Sequence, residues 1–159
     1  MSKDICCPEF NTERYQDKEH IWKEKLFVKA YVKQIFHIPI NMGKVITETY
    51  SKITEHKAEV PVEDFLMLAY DPSPWKSELY LTVSKEVPNL ENITLSGKYI
   101  SKVFDGPYNA IPKWIEEFNN YLDQKNLKAI KYYFYYTYCP KCVKKYGHNY
   151  VVAFAQIEK

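Results

Sequence analysis

Glycine, charge imbalance and long apolar runs are all scarce in this sequence. Only four of the 159 residues are glycine, and no glycine-rich phosphate loop is present. Twenty-two basic residues nearly balance twenty acidic ones, so the net charge of +2 argues against nucleic acid or an anionic membrane as a partner. The longest apolar runs, 65–70 and 150–155, have the length of strands and are too short to span a membrane. The composition predicts one soluble globular domain.

The N-terminal stretch MSKDICCPEF lacks the apolar segment of a secretion signal. We therefore expect a cytoplasmic protein. In that compartment the four cysteines are to be interpreted as thiols or metal ligands before disulfides.

Aromatic residues are abundant, with fifteen tyrosines, eight phenylalanines and three tryptophans. One interpretation is a tyrosine-rich β core, because aromatic side chains suit pleated, half-buried surfaces. The other is a pocket with aromatic walls. Burial in a core is the commoner use of such residues.

A turn motif occurs twice. FHIPIN (36–41) and FDGPYN (104–109) share Phe, Pro and Asn at positions 68 residues apart. Period-two and helical patterns around them predict the same order of elements, β-α-β-β, in both halves. The first unit has strands at 26–38, 64–70 and 77–87, with a helix capped by Asn41; the second has strands at 94–104, 132–139 and 149–158, with a helix capped by Asn109.

The predicted fold is α+β, with tandem β-α-β-β repeats related by a pseudo-two-fold axis, antiparallel sheets and one helix per repeat. Residues 1–24 are expected to form an irregular arm or a short helix lying on a single domain of 25–159, with repeats at about 25–87 and 94–158. The segment 140–148 is expected to be a longer loop in the second copy. Trp114 lies on the apolar stripe of the second helix and is predicted to be core. A groove between the repeats would be a natural concave site.

The tandem halves, the F-x-x-P-x-N turns and the run KVFDGPYNAIPKWIEEF resemble the GyrI-like family over about residues 24–158. That family shares its fold with the drug-sensing domains of MerR-type regulators and with SOUL-type haem-binding proteins. More narrowly, CCPEF, FHIPIN, WKSELY and CPKCVKKYGHNYVV resemble a bacterial subgroup of stand-alone GyrI-like proteins often described as hydrolase-like. Too few residues precede the domain for a DNA-binding helix-turn-helix, so no nucleic-acid partner is expected.

The resemblance implies binding of a flat, aromatic or cationic small molecule between the halves, with a buried Glu and aromatic walls. One GyrI-like subfamily hydrolyses cyclopropane-bearing DNA alkylators inside an aromatic cage. A shared fold does not by itself imply a shared activity. The leading hypothesis is therefore a binding protein for aromatic, amphipathic or cationic compounds that protects against xenobiotics. The second is a hydrolase acting on an electrophilic ligand in the same groove.

Glu78 is the strongest candidate for the site and, in a hydrolase, for catalysis. It alternates with Leu79 and Leu81 and so should lie on the open face of its strand with Tyr80. A carboxylate between aromatic rings can pair with a cation or act as a general acid or base. The alternative is a solvated Glu at the start of a strand. The aromatic residues expected around this groove are Trp75, Tyr80, Tyr99, Tyr108, Tyr133 and Tyr135.

The cysteines form a second constellation. Cys139 and Cys142 have the C-x2-C spacing of a zinc knuckle, and Cys6 and Cys7, or His148, could complete four ligands. The alternatives are a redox pair, a reactive thiolate near lysines, or reduced cysteines packed together. No cofactor is required by this interpretation, although a structural zinc is one hypothesis. By analogy to SOUL proteins His37 is a candidate haem ligand; the alternative is a polar residue at the end of a strand. A third candidate function is thus a zinc- or redox-linked interaction module. A homodimer formed through exposed sheet edges is a further hypothesis.

Overall fold

The computed structural model describes residues 10–36, 38–137 and 140–158, and these form an α+β fold. They divide into two compact units: residues up to Ile21 together with those from Gly97 onward, and residues Trp22–Ser96. The strands are β1 (Lys18–Ile35), β2 (Ile38–Pro39), β3 (Met67–Ser73), β4 (Lys76–Thr82), β5 (Glu91–Asp105), β6 (Ala129–Tyr136) and β7 (Tyr150–Ile157); the α-helices are α1 (Met42–Glu55), α2 (Ile111–Gln124) and α3 (Pro140–Tyr146).

In the Trp22–Ser96 unit the strands lie in the order β2-β1-β4-β3, and every neighbouring pair is antiparallel. The pairing of β1 with β4 places Tyr31 opposite Glu78 and Lys29 opposite Tyr80. Because side chains alternate across a strand, these four lie on one face of the pair. The other face is apolar and buried, with Val28, Val32, Leu79 and Leu81 at 1% exposure or less.

The second unit has the strand order β6-β7-β5, again antiparallel. Helix α2 contributes an apolar stripe to the core of this unit. Trp114 in α2 is 6% exposed and stacks on Phe104 of β5, with ring centroids 5.2 Å apart. The prediction of Trp114 as a core residue is confirmed. The buried members of this core are Ile100, Phe104, Trp114, Phe118, Leu122, Val151, Ala153, Ala155 and Ile157.

Two predicted irregular segments are regular structure. Strand β1 begins at Lys18, eight residues before the predicted start, so residues 18–24 are strand and not an irregular arm. The alternation of apolar and polar side chains is weak there, which is why the pattern missed them. The predicted loop after β6 contains α3. Gly147 follows this helix with a φ of 74° and donates its N–H to the carbonyl of Val143 at 2.9 Å.

The two repeated turns differ from the prediction at their asparagines. Asn41 stands at the N-cap position of α1, but its side chain accepts the backbone N–H of Lys33 at 2.8 Å and does not cap the helix. Asn109 lies within a 3-10 turn, Tyr108–Ala110, and α2 begins only at Ile111. Neither asparagine therefore caps its helix as predicted.

Strand boundaries shift by a few residues from the expected ones. Strand β3 continues through Ser73, past its predicted end at residue 70, so the turn to β4 is only Pro74–Trp75. Each half has the order β-α-β-β when the two-residue β2 and the added α3 are set aside. The duplication itself and its pseudo-two-fold axis stay predictions. In the part of the chain that the structure describes, no helix is long and apolar enough to cross a membrane.

Candidate functional site

Glu78 lies near the start of β4 with a side chain that is 15% exposed. Its Oε1 accepts a 2.5 Å hydrogen bond from the Tyr80 hydroxyl. Tyr80 is itself buried at 3% exposure, and its ring packs edge-on against Phe27 at 6.4 Å. Tyr80 was expected on an open face, yet Tyr80 and also Thr82, two residues further along β4, are buried, so this part of the face is covered. A largely buried carboxylate held by a tyrosine differs from the solvated Glu of the alternative interpretation.

Lys29 on β1 brings a positive charge to this carboxylate. Its Nζ lies 3.5 Å from Glu78 Oε1 and 4.0 Å from Oε2 of a second carboxylate, Glu91. The same Nζ is 5.2 Å from the ring centroid of Tyr31 and 5.7 Å from that of Tyr80. Both distances are within the range of cation–π attraction. Glu78, Glu91, Lys29, Tyr31 and Tyr80 are named here the acidic site.

The protonation of Lys29 depends on two opposing effects. Burial lowers the pKa of the Lys29 ammonium, but the hydrogen bond with Tyr31 and the negative charges of Glu78 and Glu91 raise it by more. The net pKa lies above the ordinary value of a lysine. The ammonium is therefore held in its charged form at neutral pH.

The rim of the acidic site carries a second lysine and a tyrosine hydroxyl. Nζ of Lys76 lies 4.3 Å from the ring centroid of Tyr31. The Tyr31 hydroxyl donates to Glu91 Oε1 at 3.1 Å, and the Tyr31 side chain is 41% exposed. The site thus opens to solvent on the side of Tyr31 and is closed on the side of Tyr80. Ring faces and carboxylates in this arrangement are groups that suit the binding of a cation.

Trp75 lies in the turn before β4 and packs against Phe36, with ring centroids 5.0 Å apart. Both rings are largely exposed, Trp75 at 54% and Phe36 at 71%. Of the predicted site residues in the Trp22–Ser96 unit, Glu78 and Tyr80 are joined by a hydrogen bond. The ring of Trp75 contacts Phe36.

The remaining predicted tyrosines belong to the other unit. Tyr99 of β5 and Tyr133 of β6 are both buried, and their rings lie 6.3 Å apart across β7. Burial raises the pKa of the Tyr99 hydroxyl. Tyr135 meets the ring of Phe10 edge-on at 6.0 Å. Tyr108 lies in the 3-10 turn before α2. The groove shared by both repeats stays a prediction.

The cysteine hypothesis is only partly within the described residues. Cys142 is fully buried in α3, whereas Cys6, Cys7 and Cys139 lie outside the described residues, as does His37. His148 pairs through Nδ1 with Asp105 Oδ2 at 2.7 Å. Among the residues described, no group of three or more His, Cys, Asp and Glu side chains is arranged to hold a metal ion. The zinc site stays a prediction.

Sequence reasoning missed Lys29, Tyr31 and Glu91 as members of the acidic site. The period-two pattern of β1 already placed Lys29 on the polar side of that strand. What was missing was the register, which sets Tyr31 opposite Glu78. A prediction of strand pairing would have found both β1 residues.

Comparison with known proteins identifies the family. The family model described as "Bacterial hydrolase" matches residues 1–157. No curated protein sequence matches the chain.

Solved structures of similar fold cover most of the chain. The EcmrR C-terminal domain aligns with a TM-score of 0.68 at 11% identity, over 91% of this chain and 98% of that one. A hydrolase from Listeria innocua aligns with a TM-score of 0.63 at 9% identity, over 90% and 92%. SAV2435, solved bound to tetraphenylphosphonium, aligns with a TM-score of 0.53 at 12% identity, over 90% and 94%. The EcmrR C-terminal domain and SAV2435 are GyrI-like fold proteins, so the resemblance is confirmed at the level of the fold.

Proposed function

The chain belongs to the family described as bacterial hydrolases, and we propose that it binds aromatic, amphipathic organic cations at Glu78. The observation that carries this proposal is the largely buried Glu78 carboxylate beside the rings of Tyr80 and Tyr31. Capture of such compounds would protect a cell against them. The proposal requires no cofactor.

Electrostatics supports a cation over a neutral ligand. A charge over a tyrosine ring gains about 0.5–2 kcal/mol, and the gain is largest where water is excluded. The Glu78 carboxylate, at low exposure, adds Coulomb attraction that bulk water would otherwise screen, to the extent that the Lys29 ammonium 3.5 Å away is moved aside. Apolar groups on the ligand would add burial of about 25 cal/mol per Å² of apolar surface.

The structural neighbours support the choice of ligand class. SAV2435 was solved with tetraphenylphosphonium, a lipophilic cation with four phenyl groups. Similar fold alone does not transfer a ligand. The acidic site of this chain is the independent reason to expect the same class.

The test compares two ions of matched shape and opposite charge. Tetraphenylphosphonium and tetraphenylborate differ chiefly in the sign of their charge. We expect isothermal titration calorimetry on the full chain to show binding of the phosphonium at least about tenfold tighter than that of the borate, a difference of about 1.4 kcal/mol. Equal affinities, or no binding of either ion, would contradict the proposal.

The Glu78→Gln variant tests the site. It keeps the shape of the side chain and removes its charge, so the preference for the cation should shrink by about tenfold. The matched control is Glu48→Gln, since Glu48 is an exposed residue of α1 at 62%. This control should bind like the wild type. If both variants bind equally well, Glu78 is not the cation's partner.

A hydrolase is the second candidate, favoured by the family description and by the Tyr80–Glu78 hydrogen bond. A carboxylate can orient or deprotonate a water molecule that attacks an electrophilic carbon, and a nearby tyrosine hydroxyl can supply a proton. We expect a hydrolase to convert an aromatic cyclopropane electrophile into a product heavier by one water, seen by mass spectrometry. Loss of this product in Glu78→Gln, but not in Glu48→Gln, would support hydrolysis; binding without a mass gain would leave the binding protein alone.

A further inference from the structure

The Lys29 ammonium already has the surroundings expected for a bound cation. Its Nζ lies 3.5 Å from Glu78 Oε1 and 4.0 Å from Glu91 Oε2. It also lies within about 6 Å of the ring centroids of Tyr31 and Tyr80. Two carboxylates and two aromatic rings around the Lys29 ammonium are the recognition elements of an organic cation, with Lys76 over the Tyr31 ring on the rim.

We propose that the Lys29 ammonium occupies the position that the positive centre of a ligand takes, and that a ligand binds by displacing it. This inference rests on the proposed function and deepens it, because it names an internal competitor at the same site. Lys29 then sets a threshold for ligands. A cation enters only if its free energy of binding in the site is more favourable than that of the Lys29 ammonium, because of apolar groups that lysine lacks.

The side chain of Lys29 is suited to leave while its backbone stays in place. The backbone is held in the β1–β4 ladder opposite Tyr80. The four-carbon stem has many rotamers and carries a strongly hydrated ammonium that is stable in water. Its side chain is 19% exposed, and the rim of the site at Tyr31 is open at 41%. A rotation about the stem therefore moves the charge into solvent without unfolding a strand.

Competition by a tethered group lowers the apparent affinity for the ligand. When only a fraction of molecules has the site open, the apparent dissociation constant rises by the inverse of that fraction. Removing the charge of Lys29 should therefore tighten binding of a cation, which is the opposite of the effect of removing Glu78. A positioning or structural lysine would weaken binding when replaced.

The experiment is a titration of tetraphenylphosphonium into wild type, Lys29→Met and the control Lys44→Met. Methionine keeps an unbranched stem and has no charge. Lys44 is a 75% exposed residue of α1. We expect Lys29→Met to bind about tenfold more tightly than the wild type and Lys44→Met to bind like it. Unchanged or weaker binding by Lys29→Met, with the wild type still binding, overturns the inference and leaves the proposed function standing. Absence of binding by both overturns the two together.

A second measurement on the unsubstituted sequence covers the case in which Lys29→Met does not fold. Reductive ¹³C-methylation labels the lysine amines, and the Lys29 signal is assigned as the one missing from Lys29→Arg. Saturation with tetraphenylphosphonium should move this signal toward the position and the narrow width of a solvated lysine. A Lys29 signal that stays unchanged while calorimetry reports saturation overturns the inference.

Discussion

The Tyr80 hydroxyl donates a 2.5 Å hydrogen bond to Oε1 of Glu78, two residues earlier on β4. Residues i and i+2 of a strand lie on the same face, so this contact is available to any such pair. Here it is made at low exposure, 3% for Tyr80 and 15% for the Glu78 side chain. Burial makes the bond worth more and makes its loss more costly.

Replacement of Tyr80 by Phe removes this hydrogen bond and keeps the ring. Because the acceptor is a carboxylate of low exposure, we expect the free energy of unfolding in urea to fall by about 1.5 kcal/mol. Tyr31→Phe is the matched control, since it removes a hydrogen bond to Glu91 from a 41% exposed tyrosine. The free energy of unfolding of Tyr31→Phe should differ from that of the wild type by less than about 0.5 kcal/mol. Equal costs for the two variants would show that burial does not strengthen the Tyr80 bond.

Two glycines should respond to alanine with opposite signs. Gly147 follows α3 with a φ of 74°, and a Cβ added there would meet open space. Strain of the left-handed backbone should therefore lower stability by about 1 kcal/mol in Gly147→Ala. Gly43 lies in the first turn of α1, also beside open space. Gly43→Ala should raise stability by about 0.5 kcal/mol through helix propensity. Thermal unfolding of both variants checks the contrast, and a shift of the same sign in both would contradict it.

Alkaline pH should destabilise the fold through Tyr132. Burial, and next the charge of Asp123, raise the pKa of the Tyr132 hydroxyl to about 12, from an ordinary value of 10.0. The folded state therefore holds this proton more tightly than the unfolded state does. The resulting stabilisation is complete below pH 10 and is lost as pH rises toward 12.

The measurement is the slope of unfolding free energy against pH between 10 and 12. Tyr132→Phe cannot ionise and should have a shallower slope than the wild type. Tyr50→Phe, a change at a 38% exposed residue of α1, should keep the wild-type slope. The hydrogen bond that Tyr132 donates to Asn119 shifts the curve of Tyr132→Phe by a constant and leaves its slope alone. Identical slopes for all three proteins would refute the prediction.

Trp114 should matter for stability and not for the ligand. It is stacked on Phe104 inside the core of its unit. We expect Trp114→Phe to lower the free energy of unfolding by about 2 kcal/mol and to leave the affinity for tetraphenylphosphonium unchanged. Lys113→Ala, at the exposed neighbouring position, should change stability by less than about 0.5 kcal/mol. A loss of ligand affinity in Trp114→Phe without loss of stability would assign Trp114 to the site instead.

The local sequence pattern was enough to predict secondary structure and burial wherever a segment has strong periodicity. The stripe of α2 predicted both the helix and the burial of Trp114. The same pattern failed at the ends of helices, where Asn41 and Asn109 were expected to be caps and are not. Asn41 instead binds the N–H of Lys33, across a hairpin. An asparagine has several local partners of similar energy, and its choice depends on what lies nearby.

The acidic site likewise combines residues that the local pattern predicted with residues that only the folded structure brings near them. Glu78 and Tyr80 were predicted together because they are two residues apart on one strand, and the structure joins them. Lys29 and Glu91 were not predicted, since nothing near them in the chain points to Glu78. The burial of Tyr80 on a face expected to be open also depends on neighbouring strands.

The sequence by itself determined the class of fold, the β-α-β-β order of the longer elements in each half, and the residue, Glu78, around which a function can be proposed. These follow from side-chain periods of two and 3.6, which are local. Tertiary structure alone decided that β1 starts at Lys18, that Tyr31 faces Glu78, and that Lys29 lies beside the Glu78 carboxylate. The physical reason is register: pairing two distant strands brings together side chains whose relation no local pattern contains.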